Sequence, residues 1–279
     1  MVRPATSGAT ALFGVVGDPV AHSLTPALHA AAFDEVGVDA VSVALRAGVD
    51  AAALVVEAVR RLGIRGLSVT MPLKDAVVAH CEERSDVVDR LGAANCLTAT
   101  DDGRVRADST DGDGLLAAIA CVRTAPLRAP RCVVLGAGGA ARAAIEALAR
   151  AGATDVAVVA RRHDAAVRAA AVASVGRAGT AADVAAADVV VQATPVGMRD
   201  TPSVDAAPLV DGATLGAGQV AVDLVYHPRV TPWLARAAAH GATTVEGGEV
   251  LVHQAALALA RWLGAEVPLD ALHGVLAVP

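Results

Sequence analysis

From Cys132 onward the chain repeats one pattern: a short run of nearly all-apolar, β-branched residues, then an Ala-rich stretch with helical spacing. The runs are Cys132–Leu135, Val156–Ala160, Val189–Ala193 and Val220–Val225. None shows the apolar–polar alternation of a strand with one wet face, so each must be buried on both sides. Strands of this kind separated by helices form βαβ units, and a series of them winds helices over both faces of a parallel sheet. An α/β class with a doubly wound sheet follows for the second half of the chain.

The first half is less regular. Ala11–Gly17, Val41–Leu45 and Gly66–Met71 read as strands. Thr25 is expected to cap a helix with Pro26 at its first position, running to about Val36. Asp50 is expected to cap another that ends at Gly63, with Arg60 and Arg61 in its last turn. A further helix is expected from about Lys74. A hairpin follows, Cys96–Thr100 with Arg104–Ala107, turned by Asp101-Asp102-Gly103. The stretch from Arg123 to Pro130 is the most linker-like break. The 279 residues suit one large or two modest domains, and no internal repeat is present.

Several function classes are excluded at this stage. A mean hydropathy of +0.51 with 19% charged residues rules out a disordered chain. No apolar run approaches the roughly 20 residues a membrane helix needs. The apolar stretch Ala11–Gly17 is too short for a signal peptide and has no cleavage pattern, so a soluble cytoplasmic protein is expected. A net charge of −6, and no basic tract longer than Arg60-Arg61 or Arg161-Arg162, argue against nucleic acid as partner. Cys81, Cys96, Cys121 and Cys132 lack C-x-x-C spacing and sit in apolar segments. They are expected to be buried free thiols, with neither zinc nor a redox pair.

A cofactor site is legible at the first all-apolar strand. Val133-Val134-Leu135 runs into Gly136-Ala137-Gly138-Gly139-Ala140-Ala141 and then a helical stretch, which is G-x-G-x-x-A at a strand-to-helix turn. The first glycine allows the tight turn, and the second lets the backbone approach a pyrophosphate. The helix N-terminus offers it free N–H groups and a positive dipole end. The next strand ends in Arg161-Arg162, where an NAD enzyme would carry an acid against the ribose 2′-hydroxyl. The first acid is Asp164. Two guanidiniums suit a 2′-phosphate, so NADP is the expected dinucleotide.

The rare residue types point to a second site. All 23 basic residues except Lys74 are arginine, Asn95 is the only asparagine, and Tyr226 is the only tyrosine. Lys74 follows a strand in Ser68-Val69-Thr70-Met71-Pro72-Leu73-Lys74, where a cation at a helix start gains nothing from the dipole. Asp111 follows the hairpin in Asp108-Ser109-Thr110-Asp111-Gly112. A Lys–Asp pair beside a nicotinamide suits proton transfer at an alcohol oxygen while hydride moves at its carbon. Thr25 and Asp111 also suit helix starts for purely structural reasons. His22, His29 and His253 read as satisfied helix or loop histidines, not catalytic ones.

These segments together resemble the shikimate dehydrogenase family, nearly end to end. His22-Ser23-Leu24-Thr25-Pro26 is similar to the family's H-S-x-S-P, Ser68 to Lys74 to N-V-T-x-P-x-K, and Ala94-Asn95-Cys96 to V-N-T. Asp108 to Gly112 is similar to D-N-T-D-G, and Gly136 to Ala140 matches G-A-G-G-A. Ala193 to Met198 matches A-T-x-x-G-M, Asp223 to Tyr226 resembles D-x-x-Y, and Gly247 with Leu251 to Gln254 resembles G-x-G-M-L-x-x-Q.

The resemblance implies NADPH-dependent reduction of 3-dehydroshikimate to shikimate in aromatic amino acid biosynthesis. It implies Lys74 as catalytic acid/base with Asp111 beside it, and Thr70, Asn95 and Gln254 on ring hydroxyls. Ser23, Thr25 and Tyr226 would hold the carboxylate. NADP would be held by Gly136, Ala137, Gly138, Gly139, Ala140, Arg161, Arg162 and Thr194, with Leu224 and Gly247 lining the nicotinamide and Asp86 as an acid near the cofactor. No metal is implied. It also implies an N-terminal α/β substrate domain over residues 1–110, completed by helices of 247–279 that return to it, and a Rossmann-type NADP domain over 111–246. The chain would act as a monomer or homodimer on a small-molecule substrate, away from membrane and nucleic acid.

The departures from the family pattern are specific. Thr25 replaces the second Ser and adds a methyl where the carboxylate would dock, as in the quinate-oxidising branch. A quinate/shikimate dehydrogenase of relaxed specificity is therefore the alternative. Ser68 and Ser109 replace asparagines that brace loops, Cys96 replaces Thr, Arg162 replaces Thr, and Glu249 and Val250 replace Gly and Met. A catalytically silent dinucleotide-binding sensor would have lost Lys74 or Asp111, and both are present.

Overall fold

The computed structural model describes residues 6–123, 128–199 and 206–277. Among them, the chain divides into two compact units. One contains the residues up to Thr110 together with those from Gln254 on, and the other is Asp111–His253.

The first unit is built on β1 (Ala11–Gly17), β2 (Ala40–Arg46), β3 (Ile64–Val69), β4 (Glu83–Arg84), β5 (Cys96–Ala99) and β6 (Val105–Asp108). The spatial order is β2-β1-β3-β5-β6-β4. β1 pairs in parallel with both β2 and β3, whereas β5 runs antiparallel to β3 and to β6. The sheet is therefore mixed, because the tight turn after β5 forces a hairpin where the earlier connections are helical crossovers. These crossovers are α1 (Thr25–Val36) and α2 (Ala52–Arg61), and the short α3 (Asp86–Leu91) leads into β5. α2 buries Ala52, Val55, Val56 and Val59, an i, i+3, i+4, i+7 stripe, against Leu67, Leu97 and Val105.

Local starts differ from the sequence expectation in three places. α1 begins at Thr25, with Leu24 in the cap position and the Ser23 hydroxyl accepting from the Thr25 N–H at 3.2 Å. Asp50 lies in a 3₁₀ turn, Val49–Ala51, that precedes α2. The helix expected from Lys74 is a five-residue 3₁₀ segment, Ala76–His80, and Lys74 itself lies in the turn before it. A five-residue 3₁₀ segment has too few aligned peptides to set a helix dipole against the Lys74 charge.

The second unit opens with α4 (Asp111–Cys121), followed by β7 (Arg131–Leu135), α5 (Gly139–Arg150), β8 (Asp155–Val159), α6 (His163–Ala170) and β9 (Gly176–Ala178). β10 (Val189–Gln192), β11 (Val220–Asp223), α7 (Pro232–Ala239) and β12 (Thr243–Val245) complete it. All six strands are parallel, in the order β12-β11-β10-β7-β8-β9, the doubly wound Rossmann arrangement. Alternate residues of the central strands feed two cores: Cys132, Val134, Val189 and Val191 on one face, Val133, Leu135, Val190 and Ala221 on the other. β9 and β12 were not foreseen, since three-residue strands carry no readable period. Residues 124–127, within the linker-like break, lie outside the described residues. Cys81, Cys96 and Cys132 are buried, as expected, but Cys121 at the end of α4 is exposed, its sulfur 3.5 Å from His253 Nε2.

Two C-terminal helices close the chain, α8 (Gly247–Leu263) and α9 (Leu269–Leu276). Residues from Gln254 on belong to the first unit, and α9 packs on α1. The Trp262 indole N–H donates to the Leu97 carbonyl at 3.1 Å, and the ring lies over Gly66, where any side chain would collide with it. No helix among the described residues is long and apolar enough to cross a membrane.

Candidate functional site

In the first unit, the segments predicted to bind substrate are joined by hydrogen bonds that cross long stretches of sequence. Thr70 leaves β3 with its N–H donating to Val16 O at 2.9 Å, and its methyl fills the space that the missing side chain of Gly17 leaves. Four residues on, half-buried Lys74 accepts at its carbonyl from the Ala94 N–H at 2.8 Å, which ties the lysine turn to the entry of β5. Asn95, only 4% exposed, donates from Nδ2 to Thr110 Oγ1 at 2.9 Å and to Gln254 Oε1 at 3.1 Å. Its Oδ1 accepts from the Thr110 N–H at 2.7 Å. Asn95 and Gln254, both predicted to face ring hydroxyls, therefore lie together. Ser23 is half-buried and Thr25 fully buried at the start of α1. Asp86 is exposed at the first residue of α3.

Bracing falls on residues the sequence did not single out. Asp108, at the end of β6, accepts from the Ser85 hydroxyl at 3.0 Å and the Ser109 N–H at 2.8 Å, and pairs with Arg261 Nε of α8 at 2.8 Å. Where the family pattern has an asparagine, Ser109 is thus held through its backbone by Asp108.

In the second unit, Asp111 is the first residue of α4. Its neighbour Gly112 lets α4 approach α5, since a Cβ there would stand 2.8 Å from both Ala143 O and Ala147 Cβ. The glycine turn lies between β7 and α5. Gly136 has φ +126° and donates to Val159 O at 2.8 Å, and a Cβ on it would meet Ala193 O at 3.0 Å. Gly138 is exposed with open space above it, and α5 starts at Gly139, so the first-turn N–H groups of Gly139 and Ala140 point out of the helix unpaired by it. This cradle fits a pyrophosphate.

After β8, Arg161 and Arg162 are exposed but differ. Arg162 makes two hydrogen bonds to Asp164, at 3.1 and 2.7 Å, and Arg168 joins the same carboxylate at 2.8 Å. Hydrogen bonds from Arg162 and Arg168 hold the Asp164 carboxyl far below the usual carboxylate range. Arg161 has no acidic partner among the described residues.

Thr194 is set by Gln192, whose Oε1 accepts from the Thr194 hydroxyl at 2.7 Å and its N–H at 3.1 Å. Leu224 and Tyr226 follow β11, and Gly247 opens α8 where a Cβ would collide with Val225 O. Glu249 lies in the first turn of α8. There it adds a second carboxylate near Arg229, which pairs with Glu246 at 2.6 Å. No group of His, Cys, Asp and Glu able to hold a metal occurs among the described residues.

Residues 15–97 match the family model of the shikimate dehydrogenase substrate binding domain. Over 274 residues the chain is 37% identical to a shikimate dehydrogenase (NADP(+)) of Methanopyrus kandleri, covering 94% of this chain and 93% of that one. The chain belongs to the shikimate dehydrogenase family.

Solved structures of the family and its neighbours share the fold. That of shikimate 5-dehydrogenase from Thermus thermophilus, in complex with NADP(H) and shikimate, is 35% identical with a TM-score of 0.86, covering 95% of this chain and 98% of that one. That of quinate dehydrogenase from Corynebacterium glutamicum, in complex with NAD, is 27% identical with a TM-score of 0.82 over 95% of this chain and 98% of that one.

Proposed function

We propose that this shikimate dehydrogenase family member catalyses the reversible NADPH-dependent reduction of 3-dehydroshikimate to shikimate. The observation that carries the reading is the linkage of Lys74 to Ala94 and of Asn95 to Thr110 and Gln254 within one compact unit. It supports grouping the family's proton donor with its hydroxyl ligands. That unit serves as the substrate-binding domain. The other, with its glycine cradle and Arg161, serves as the NADP-binding domain.

NADPH supplies the hydride when bound. Lys74 donates its proton to the oxygen that becomes the alcohol, which balances the negative charge arriving with the hydride. Asp111 shares the same ring hydroxyls. Asn95 and Gln254 contact them with amide groups, and the Asn95–Gln254 bond is the one a substrate hydroxyl would replace. Ser23 and Thr25, at the start of α1, bind the carboxylate together with Tyr226, where helix N–H groups favour an anion. Gly136 to Ala140 and Thr194 hold the pyrophosphate side of the cofactor, Arg161 and Arg162 the 2′-phosphate, Leu224 and Gly247 the nicotinamide, with Asp86 nearby. The protein works in the cytoplasm as a monomer or homodimer.

A second reading, relaxed specificity for quinate, is favoured by Thr25, whose buried extra methyl sits in the first turn of α1. One assay tests both: NADP⁺ reduction with shikimate and quinate side by side, repeated with NAD⁺. Preference for shikimate supports the first reading, and strong preference for quinate replaces it. The Lys74→Ala variant should lose most turnover while still binding NADP⁺, and near-normal turnover would sink the assignment of Lys74.

A further inference from the structure

Two buried polar side chains in the second unit sit where an apolar pair would pack more cheaply. Gln192 ends β10 and Asp223 ends β11, directly opposite each other in the parallel register, and both are 0% exposed. By the alternation along their strands they point to the face of Val190 and Ala221, which is covered by Trp233, Leu234 and Val210. Burying a carboxylate among such groups is costly, and desolvation there pushes the Asp223 carboxyl up to about 6.

What each side chain holds is a loop leaving the C-terminal edge of the sheet. Asp223 Oδ1 accepts from the Val225 N–H at 3.0 Å, and Oδ2 accepts from the Thr231 hydroxyl at 2.5 Å. These two contacts hold both ends of the 224–231 loop, which carries Leu224 and Tyr226. Thr231 Oγ1 also caps α7 by accepting from the Leu234 N–H at 3.2 Å. Gln192 holds the neighbouring loop through Thr194, and its Nε2 has no hydrogen-bond partner among the described residues. The two loops are joined directly, the Arg199 N–H donating to His227 O at 2.9 Å and Gly197, at φ +83°, lying against Thr231. Gly247 presses on the same backbone from α8, with Asp223 O 2.8 Å from where its Cβ would be.

Both of Asp223's partners are donors. A carboxylate satisfies both, whereas an asparagine turns one NH₂ toward a donor. We propose that Asp223, acting through Thr231 and seconded by Gln192, is a positioning residue. It sets the 224–231 loop that bears Leu224 and Tyr226, and so the geometry of hydride transfer, while the glycine cradle supplies most of the NADP affinity. The inference rests on the proposed dehydrogenase activity.

The test uses the full chain with Asp223→Asn, Thr231→Val and Thr231→Ser. It measures kcat and KM for shikimate, the Kd for NADP⁺ by calorimetry, and the deuterium isotope effect with shikimate labelled at the oxidised carbon. Displacing a positioning loop by a fraction of an ångström should lower kcat about 10- to 100-fold in Asp223→Asn and Thr231→Val, with a larger isotope effect. The Kd for NADP⁺ should stay within about threefold, and Thr231→Ser, which keeps the hydroxyl, should retain the wild-type kcat.

Wild-type kcat and isotope effect in both disruptive variants, however far melting temperatures fall, would overturn the proposal. So would equal losses in Thr231→Ser and Thr231→Val. If Asp223→Asn does not fold, the Thr231 pair decides alone. Absence of turnover in the wild-type chain with shikimate or quinate overturns the activity reading, and this inference with it.

Discussion

Asn95 grips Thr110 from two directions: its amide nitrogen donates to the threonine hydroxyl at 2.9 Å, and its amide oxygen accepts from the threonine N–H at 2.7 Å. Thr110 is completely buried and is the residue before Asp111. The chain's only asparagine thus fixes the residue that immediately precedes Asp111. A carboxylate could accept the N–H but has no amide donor for the Thr110 and Gln254 oxygens, so asparagine answers a specific demand for donor and acceptor on one short side chain.

Asn95→Ala should leave the Thr110 N–H buried and unpaired, at a cost of about 1–3 kcal/mol. Activity should suffer more than stability, with kcat/KM for shikimate falling about 100-fold as Asp111 loses its placement. Thermal melting and steady-state kinetics on one preparation check this. A kcat/KM within threefold of wild type, with the stability loss present, would assign the clamp to folding alone.

Gly17→Ala addresses the lysine turn. A Cβ at Gly17 collides with Thr70 Cγ2 and stands 2.5 Å from Met71 O, so the turn leading to Lys74 must shift. Overpacking of this kind costs about 1–3 kcal/mol. The expected outcome is a lower kcat with an unaltered Kd for NADP⁺, because the glycine cradle lies in the other unit. A variant with normal kcat would show that the turn relaxes without moving Lys74.

How far the sequence disclosed this molecule depends on how local each signal is. Val156–Val159 and Val189–Gln192 were readable because burial on both faces writes itself as an unbroken apolar run. Lys74, Asn95 and Tyr226 stood out because the background is so poor in their types. The 3₁₀ segment after Lys74 is indistinguishable in sequence from the start of a helix, because one turn is too short to show a period. Asp108 stayed hidden because its partner Arg261 is 153 positions away, and nothing local marks a carboxylate that braces a loop. Asp223 was visible only as one letter of a motif. Its burial and its grip on Thr231 are tertiary facts.

Arg161 and Arg162 should contribute unequally to NADP binding. Arg162 is already engaged by Asp164, whereas Arg161 meets no acid among the described residues. A hydrogen-bonded charge pair with the 2′-phosphate contributes about 1.5–3 kcal/mol, so Arg161→Ala should raise the KM for NADP⁺ about 10- to 100-fold. Arg162→Ala should raise it less. Asp164→Asn should lower it by releasing Arg162, and all three effects should shrink with added salt because the groups are exposed. A larger loss in Arg162→Ala than in Arg161→Ala would reverse the assignment.

Burial of His29 should make the fold acid-sensitive. It is fully buried on α1, hydrogen-bonded through Nδ1 with Ser42 Oγ at 2.8 Å, its ring edge-on to Trp262 at 5.2 Å. Its Nε2 has no partner among the described residues, so the sequence expectation of a satisfied histidine holds for only one nitrogen. Burial lowers its pKa from 6.5 to about 3. The unfolded chain therefore binds a proton below about pH 6.5 that the folded chain refuses until about pH 3. Unfolding then takes up a proton throughout that window, so stability falls as pH drops through it, by roughly 3 kcal/mol between neutrality and pH 4. The buried Asp223 opposes this trend, because its raised pKa removes stability as pH rises from about 4 to about 6. Replacing His29 by Gln, which keeps a hydrogen-bonding group near Ser42 and no titrating one, should flatten the acid limb and leave the opposing contribution exposed. Denaturant melts at pH 4, 5.5 and 7 on both proteins measure the difference. An identical pH dependence in His29→Gln would mean that His29 is protonated, and accommodated, in the folded chain.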